Sequence, residues 1–248
     1  MKNRKIGFMQ GRLVAPEEKK IQSFPWKNWR KEFQIANEIG LSLIEWTIDR
    51  NKFFLNPINL KLGRDEINSL KKKYSIKLES VTADFFMQSP FFKKCLAKEL
   101  KIFKIFIKNC YKLNIKYIIC PLVDNASVKT DAEEKILIKE LLKLNSYISK
   151  YKVKILFEID YNPKKLLSFI KKLPQKNFGI NYDTGNSAGL GFDFSEEKIY
   201  FSKVKNIHIK DKKLNSTSVK IGNGDYNFKN LIKYLKKINY KGNLIFQT

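Results

Sequence analysis

Short apolar runs alternate with amphipathic stretches along the whole chain. The apolar runs span five to eight residues, as expected of buried strands. The stretches between them repeat apolar residues at spacings of three and four, which is typical of helices packed on one face. The pattern predicts eight strands, at 5–9, 41–46, 76–83, 116–123, 153–159, 177–183, 204–209 and 243–248.

The intervening stretches carry helix start and stop signals. Gly40 follows an amphipathic stretch as a C′ residue, Thr130 and Glu133 form a capping box, and Asp225 precedes the last apolar-periodic stretch as an N-cap. Helices are predicted at 29–40, 64–74, 91–113, after Thr130, at 163–172, near 195–203 and after Asp225.

Strands that alternate with helices form parallel sheets, because parallel neighbours need a crossover connection. Eight such units predict an α/β fold, a single (β/α)8 TIM barrel domain over 1–248. A doubly wound open sheet is the alternative, but no G-x-G-x-x-G follows an early strand. The sequence stops with the eighth strand, so the final helix is predicted to be absent. That side would be covered by the 13–28 segment or a partner subunit, or its helix was lost from a truncated gene.

Composition narrows the class of protein. Hydrophobic residues make up 43% of the chain, enough for a sizeable core. The apolar runs are too short to cross a bilayer, and the N-terminal stretch does not resemble a signal peptide. Cys95, Cys110 and Cys120 are odd in number and widely spaced, which favours free thiols over a disulfide framework or zinc knuckle. These features predict a cytoplasmic protein without a membrane partner.

The net charge of +25 suggests an anionic partner. Only five of the 49 basic residues are arginines, the residue that usually makes bidentate contacts with nucleic acids. The chain is also rich in Ile, Asn, Phe and Tyr and poor in Ala and Gly, which is typical of an A/T-rich coding sequence. We therefore interpret most lysines as solvated surface and do not expect a nucleic-acid partner.

The predicted strands end in polar residues, and the carboxyl ends of barrel strands are where active sites form. The spacing is regular: 25 residues separate Glu158 from Asp183 (183 − 158), and 25 separate Asp183 from His208 (208 − 183), the only histidine. Each step is about one βα unit, so the three side chains are predicted to share one mouth. Two carboxylates and an imidazole suit a divalent metal, with Mn²⁺, Mg²⁺ or Co²⁺ favoured and Zn²⁺ as an alternative. Gln247, at the end of the eighth strand, is a candidate fourth ligand.

The ordered motifs resemble the xylose isomerase-like TIM barrels, the sugar phosphate isomerase/epimerase group. The resemblance covers nearly the whole chain, and rests on the set as a whole rather than on one motif. The motifs are "GFMQGRL", "FPWKNWRKEFQIANEIGLSLIEWTID", "PLVDNAS", "LFEID", "NYDTGN", "NIHIKD" and "IGNGD".

The resemblance implies a metal held by Glu158, Asp183 and His208, with a fourth ligand at the end of strand eight. In the epimerase branch that ligand is usually a glutamate, and the two glutamates shuttle the proton. Here it is Gln247, which can bind through oxygen but cannot act as a base. Many epimerase relatives also carry a histidine where this chain has Asn186, which retains hydrogen bonding to substrate only. The group's apurinic-site endonucleases use several histidines for three zinc ions, so a chain with one histidine is not expected to share that activity.

The resemblance predicts an isomerase or epimerase that acts on a small sugar or sugar phosphate. Glu158 would abstract a proton next to a carbonyl, giving an enediolate stabilised by the metal. A keto-polyol dehydratase or a catalytically degenerate sugar-binding barrel are the alternatives, and a homo-oligomer is compatible with the sequence. Predicted substrate-binding residues are Arg12, Asn186, Lys210 and Asp124.

Each assignment has a structural alternative. Glu158 would otherwise form an ion pair with a lysine, Asp183 an Asx turn, and Lys210 a solvated side chain. Asp124 would otherwise be a turn former. The stretch 222–224, Gly-Asn-Gly, is either a phosphate-binding loop or a plain turn.

Overall fold

The chain folds into a closed parallel barrel. The computed structural model describes residues 5–16, 23–93 and 96–247, with only the backbone at position 96. The barrel strands are β1 (Lys5–Met9), β2 (Leu43–Thr47), β3 (Lys77–Thr82), β4 (Tyr117–Leu122), β5 (Lys154–Ile159), β6 (Phe178–Asp183), β7 (Val204–Ile209) and β10 (Asn243–Phe246), while β8 (Asp211–Lys212) and β9 (Ser218–Val219) form a short antiparallel hairpin. The barrel order is β1-β10-β7-β6-β5-β4-β3-β2, and β1 pairs with β10 to close it. The predicted TIM barrel is confirmed.

Helices connect successive barrel strands. Short 3₁₀ turns cover Phe53–Leu55, Pro57–Asn59, Asp124–Ala126 and Lys198–Lys203. The helices are α1 (Lys31–Glu38), α2 (Lys61–Lys73), α3 (Phe85–Gln88), α4 (Leu96–Lys112), α5 (Asp131–Lys150), α6 (Pro163–Lys171), α7 (Thr184–Leu190), α8 (Phe194–Glu197) and α9 (Phe228–Lys237).

Two predicted helix signals are confirmed and one is wrong. The Glu133 N–H donates to Thr130 Oγ1 at 3.1 Å at the start of α5, and Gly40 has φ +76° just after α1. Asp225 does not cap α9. Its carboxylate instead accepts the Leu214 N–H at 2.7 Å, and Asn227 caps the helix.

The main apolar core lies between the barrel and its helices. Phe103, Ile107 and Cys110 of α4 are fully buried there, as their helical spacing predicts. A much smaller apolar cluster of Met9, Leu43 and Ile245 lies apart from it.

The described chain ends at Gln247, one residue after β10. Ile6 of β1 and Phe246 of β10 are each 36% exposed. In the part of the 13–28 segment that is described, Phe24 packs on Trp46 of β2, with ring centroids 5.3 Å apart. The organisation as one domain stays a prediction.

Two further predictions concern thiols and membranes. Cys110 and Cys120 are free and buried, and burial raises the pKa of both thiols, whereas Cys95 lies outside the described residues. Over the described ranges, no helix has the length and apolar character needed to cross a membrane.

Candidate active site

Three neighbouring strands bring the predicted ligands together. Glu158 lies near the end of β5, Asp183 ends β6 and His208 lies near the end of β7. All three are buried, and each offers one ligand atom within 4.8 Å of the others. The spacing of one βα unit between successive residues therefore brings the three side chains together, as the sequence predicts.

Glu158 is held by amides. Asn181 Nδ2 donates to its Oε2 at 2.8 Å, and Asn186 Nδ2 donates to its Oε1 at 2.7 Å. Burial opposes ionisation of Glu158, but His208, Lys210 and the Asn181 amide outweigh it and lower the pKa of the carboxyl. The carboxylate thus faces the site in its ionised form and has a fixed orientation.

The two oxygens of Asp183 have different surroundings. Oδ1 accepts the Asn186 N–H at 2.8 Å and caps α7, which is the turn that the sequence suggests as an alternative. Oδ2 is buried and accepts no hydrogen bond within the described part of the chain; His208 Nδ1 and Lys210 Nζ are each 3.8 Å away. Burial and the Glu158 charge raise the pKa of Asp183 against the opposing effect of Lys210. Oδ2 therefore has the lone pairs that a cation would use.

His208 lies between carboxylates. Its Nε2 is 2.6 Å from Glu45 Oε1, and its Nδ1 is 3.1 Å from Glu158 Oε2. Burial disfavours the charged ring, but Glu45 and Glu158 outweigh it and raise the pKa of His208 well above its usual value.

The donor set fits a divalent cation. Two carboxylates and one imidazole nitrogen converge, and one buried carboxylate oxygen has no competing donor within hydrogen-bond distance in the described chain. Oxygen donors with one nitrogen are typical of Mn²⁺, Mg²⁺, Co²⁺ or Zn²⁺ sites. Glu158, Asp183 and His208 are the residues that could hold the ion.

An open cavity of about 120 Å³ lies next to Glu158 at this end of the barrel. The predicted residues in its lining are Glu158, Asn186, Lys210, Asp124 and Gln247. Gln247 donates through its side-chain nitrogen to Met9 Sδ at 3.4 Å, and its N–H donates to Ile209 O at 3.0 Å.

A lysine just after β7 and another from β8 line the same cavity. Lys210 lies close to Asp183, and Lys212 Nζ donates to Asn186 Oδ1 at 3.2 Å. An added Cβ at Gly185 would come within 2.7 Å of Lys210 Cγ, and one at Gly189 within 3.2 Å of Lys212 Cδ. Two glycines one helical turn apart on α7 therefore make room for the two lysine stems.

Arg12 does not line this cavity. It lies half-buried in the loop after β1, near the charges of Glu32 and Asp84, and burial lowers its pKa. Glu32 of α1 is buried, and its Oε1 accepts the N–H groups of Gly11 at 2.7 Å and Leu13 at 3.2 Å. Burial raises the pKa of Glu32 to about 7 against these bonds. Glu32 thus fixes the backbone on either side of Arg12.

The Gly-Asn-Gly loop binds a carboxylate of the chain itself. Asp211 Oδ2 accepts the N–H groups of Gly222 at 2.8 Å and Gly224 at 2.9 Å, and Oδ1 accepts that of Tyr226 at 3.3 Å. The N–H groups that would hold a phosphate are already used, so the structure favours the turn interpretation.

The sequence did not indicate the roles of Glu45, Asn181 and Asn206. Asn181 is two residues before Asp183, and Asn206 is two before His208, so strand alternation places each pair on one face. That signal was present in "NYD" and "NIH". Glu45 was visible as a polar strand end, but its contact with His208 crosses from β2 to β7, which no local pattern reports.

Comparison with known proteins identifies the family. The family model "Xylose isomerase-like TIM barrel" matches residues 33–248. The chain belongs to this family. The sequence matches none of the curated proteins compared with it.

Solved structures share the fold at low sequence identity. A xylose isomerase domain protein from Planctomyces limnophilus has a TM-score of 0.78 at 13% identity, covering 98% of this chain and 88% of that one. D-allulose 3-epimerase from Methylomonas sp. in complex with D-allulose has 0.74 at 15% identity, covering 99% and 84%. IOLI protein with a bound zinc atom has 0.75 at 18% identity, covering 98% and 88%. This barrel is thus similar to those of sugar epimerases and isomerases.

Proposed function

We propose that the chain is a divalent-metal-dependent isomerase acting on a small sugar or sugar phosphate. The observation that carries the proposal is the convergence of Glu158, Asp183 and His208 within 4.8 Å beside an open cavity. When bound there, a divalent cation supplies Lewis-acid polarisation of a substrate carbonyl. Mn²⁺, Mg²⁺ or Co²⁺ is favoured by the oxygen-rich donor set, and Zn²⁺ is the alternative suggested by the zinc-bound IOLI structure.

Glu158 is the proposed base. It lines the cavity, and its lowered pKa keeps it in the ionised form that can accept a proton from the carbon next to the carbonyl. The amides of Asn181 and Asn186 fix the carboxylate plane, which fixes the face of the substrate from which the proton leaves.

Gln247 favours isomerisation over epimerisation. Epimerisation removes a proton from one face of a carbon and returns it to the other, and in the epimerase branch two glutamates do this. An amide at position 247 cannot exchange a proton, whereas a 1,2-isomerisation needs one base that works on one face. Glu158 can do this alone.

The remaining lining residues are proposed to bind substrate. The Lys210 ammonium is suited to an oxyanion or carbonyl oxygen, Asn186 and Asp124 to hydroxyl groups, and Gln247 to the metal through its side-chain oxygen. Arg12 would act from the loop after β1, beside Asp84 at the cavity wall.

Metal content tests whether the chain binds a divalent ion through His208. Wild type, His208→Ala and a control, Glu79→Gln, are dialysed against mixed divalent ions and analysed by mass spectrometry. Glu79 pairs with Lys5 and Lys116 and has no contact with His208. We expect about one ion per chain in wild type and control and none in His208→Ala. No ion in the wild type, or equal occupancy in all three, would refute the metal site.

Proton exchange tests whether the chain isomerises a sugar by proton abstraction. The loaded protein is incubated in D₂O with neutral and phosphorylated aldoses and ketoses, and products are followed by NMR and mass. Isomerisation gives deuterium at one carbon and a product of otherwise unchanged mass, which Glu158→Gln abolishes. Loss of water identifies the keto-polyol dehydratase, and tight binding without exchange identifies a degenerate sugar-binding barrel.

A further inference from the structure

Glu45 makes a contact across the inside of the barrel. It lies on β2 and contacts His208 on β7, although β1 and β10 separate these strands in the sheet. The Oε1–Nε2 distance is 2.6 Å, and both side chains are 0% exposed. The contact is therefore shielded from solvent and from the cavity above.

Every polar contact of the Glu45 carboxylate is with a donor. Ser80 Oγ donates to Oε2 at 2.7 Å and Thr82 Oγ1 to Oε1 at 2.7 Å. Asn206 Nδ2 donates to Oε2 at 3.0 Å. An ionised carboxylate only accepts hydrogen bonds, so His208 Nε2 must carry the proton in this contact.

A second chain of hydrogen bonds leads to the same assignment. Because Glu45 accepts, Asn206 must present Nδ2, and the same nitrogen donates to Asn181 Oδ1 at 2.7 Å. Because Asn181 Oδ1 accepts this hydrogen bond, the Asn181 Nδ2 must point away from Asn206. There Nδ2 lies 3.1 Å from His208 Nδ1 and 2.8 Å from Glu158 Oε2. In the neutral ring this donor meets a lone pair on Nδ1, whereas in the charged ring Nδ1–H would face Glu158 Oε2 at 3.1 Å. Nε2 carries its proton in both forms.

We infer that Glu45 is a positioning residue that keeps the proton on His208 Nε2 and so presents Nδ1 to a cation between Glu158 and Asp183. The inference rests on the proposed metal-dependent function. A carboxylate on β2 would thus set both the tautomer and the orientation of a metal ligand on β7. Hydrogen-bond partners of this kind tune metal affinity by about 10–100-fold.

The single histidine makes the test direct. Protein labelled with ¹⁵N-histidine has one imidazole, so both nitrogen resonances belong to His208 without further assignment. Spectra are recorded before and after loading with Zn²⁺, which is diamagnetic. We expect Nε2 to retain its bonded proton throughout and Nδ1 to shift on loading.

Variants separate positioning from folding. Glu45→Met has no acceptor, and we expect it to lose the Nε2–H signal and to bind Zn²⁺ about 10–100-fold more weakly. Glu45→Gln can keep an oxygen opposite Nε2, so it should recover the signal and most of the affinity. Glu79→Gln, which removes a carboxylate on β3 that bonds lysines, should match wild type in both measurements.

Two results would overturn the inference about Glu45 without contradicting the proposed function. One is Zn²⁺ bound through Nε2 in the wild type, which is decisive even if Glu45→Met does not fold. The other is a folded Glu45→Met that binds Zn²⁺ within about threefold of wild type, well short of the loss of about 10–100-fold expected for such a partner. If the wild type binds no Zn²⁺ or other divalent ion, the proposed function fails first and the inference falls with it.

Discussion

Asp183 combines a structural and a chemical role in one carboxylate. Oδ1 caps α7 through the Asn186 N–H, while Oδ2 points to His208 and Lys210. Asparagine can make the same cap through its side-chain oxygen but supplies no negative charge. The two roles can therefore be separated by a substitution that changes few atoms.

We expect Asp183→Asn to retain the fold and to lose metal binding. Its free energy of unfolding should stay within about 1 kcal/mol of wild type, whereas Asp183→Ala should lose about 1 kcal/mol more because the cap is gone. Urea denaturation and metal titration check both variants. Wild-type metal affinity in Asp183→Asn would show that Oδ2 is not a ligand.

Glu32 predicts a pH dependence of stability. Its pKa in the folded protein is about 7, above the usual 4.5, so the folded state holds this proton more tightly than the unfolded state. The resulting stability is fully present below pH 4.5 and is lost as the pH rises through 7, by roughly 3 kcal/mol at 1.36 kcal/mol per pKa unit.

Glu32→Gln removes this titration and keeps an oxygen for the Gly11 and Leu13 N–H groups. We expect the variant to gain stability relative to wild type between pH 5 and pH 8, measured by urea denaturation at each pH. The difference in the free energy of unfolding between the two proteins cancels the contributions of the other titrating groups. A difference independent of pH would contradict the assigned pKa.

At the residue scale, the sequence predicted those site residues that depend on position along single strands. Glu158, Asp183 and His208 follow from strand ends spaced by one βα unit. Glu45 could not be assigned because its partner lies across the barrel. That contact depends on the curvature and strand order of the closed sheet, which alternation within β2 does not encode.

At the scale of elements, the loop after β9 depends on one close contact. A Cβ at Gly224 would lie 2.1 Å from Asp211 Oδ1 and 2.6 Å from Lys212 O. Only glycine fits while Asp211 binds the backbone of this loop. The same carboxylate lies between the two lysines of the cavity in sequence, so the loop and the cavity wall are coupled.

Gly224→Ala should destabilise the protein by about 1–3 kcal/mol, the usual cost of overpacking a closed site. Asn223→Ala, next to it on an exposed position, is the matched control and should change stability by less than about 0.5 kcal/mol. Thermal denaturation of both variants checks this. Equal stability of the two would mean that the loop rearranges freely around Asp211.

Element types were predictable, but their ends were less so. Two capping residues, Asp225 and Asn227, stand close together before α9, and periodicity cannot tell which one caps the helix. The choice is made by tertiary structure, since Asp225 binds the Leu214 N–H. The short helix α7 was missed because "TGNSAGL" has weak helix formers, and its start is fixed by Asp183.

At the scale of the whole molecule, charge opposes compactness. The chain has 49 basic and 24 acidic residues, and several of the acidic ones, Glu32, Glu45, Glu158 and Asp183, are buried. The surface is therefore more positive than the composition alone suggests. Repulsion between surface lysines is weakened by salt.

We expect Tm to rise as NaCl increases from about 0.05 to 0.5 M, a range over which the Debye length falls about threefold. Each kcal/mol of relieved repulsion corresponds to about 2–4 °C for a chain of this size. KCl at equal concentration is the control and should give the same rise. A flat or falling Tm would show that the lysines do not strain the fold.

The bond between Glu45 and His208 has a consequence for how the barrel is completed. The two residues are 163 positions apart, and the bond joins strands that do not pair. Glu158, Asp183 and His208 come from adjacent strands and can approach one another in an open sheet. Only a sheet curled until β1 meets β10 brings Glu45 to the imidazole. A cation that needs the oriented ring would therefore stabilise the closed barrel relative to any form in which β1 and β10 are apart, so that binding of the ion and closure of the sheet would favour each other.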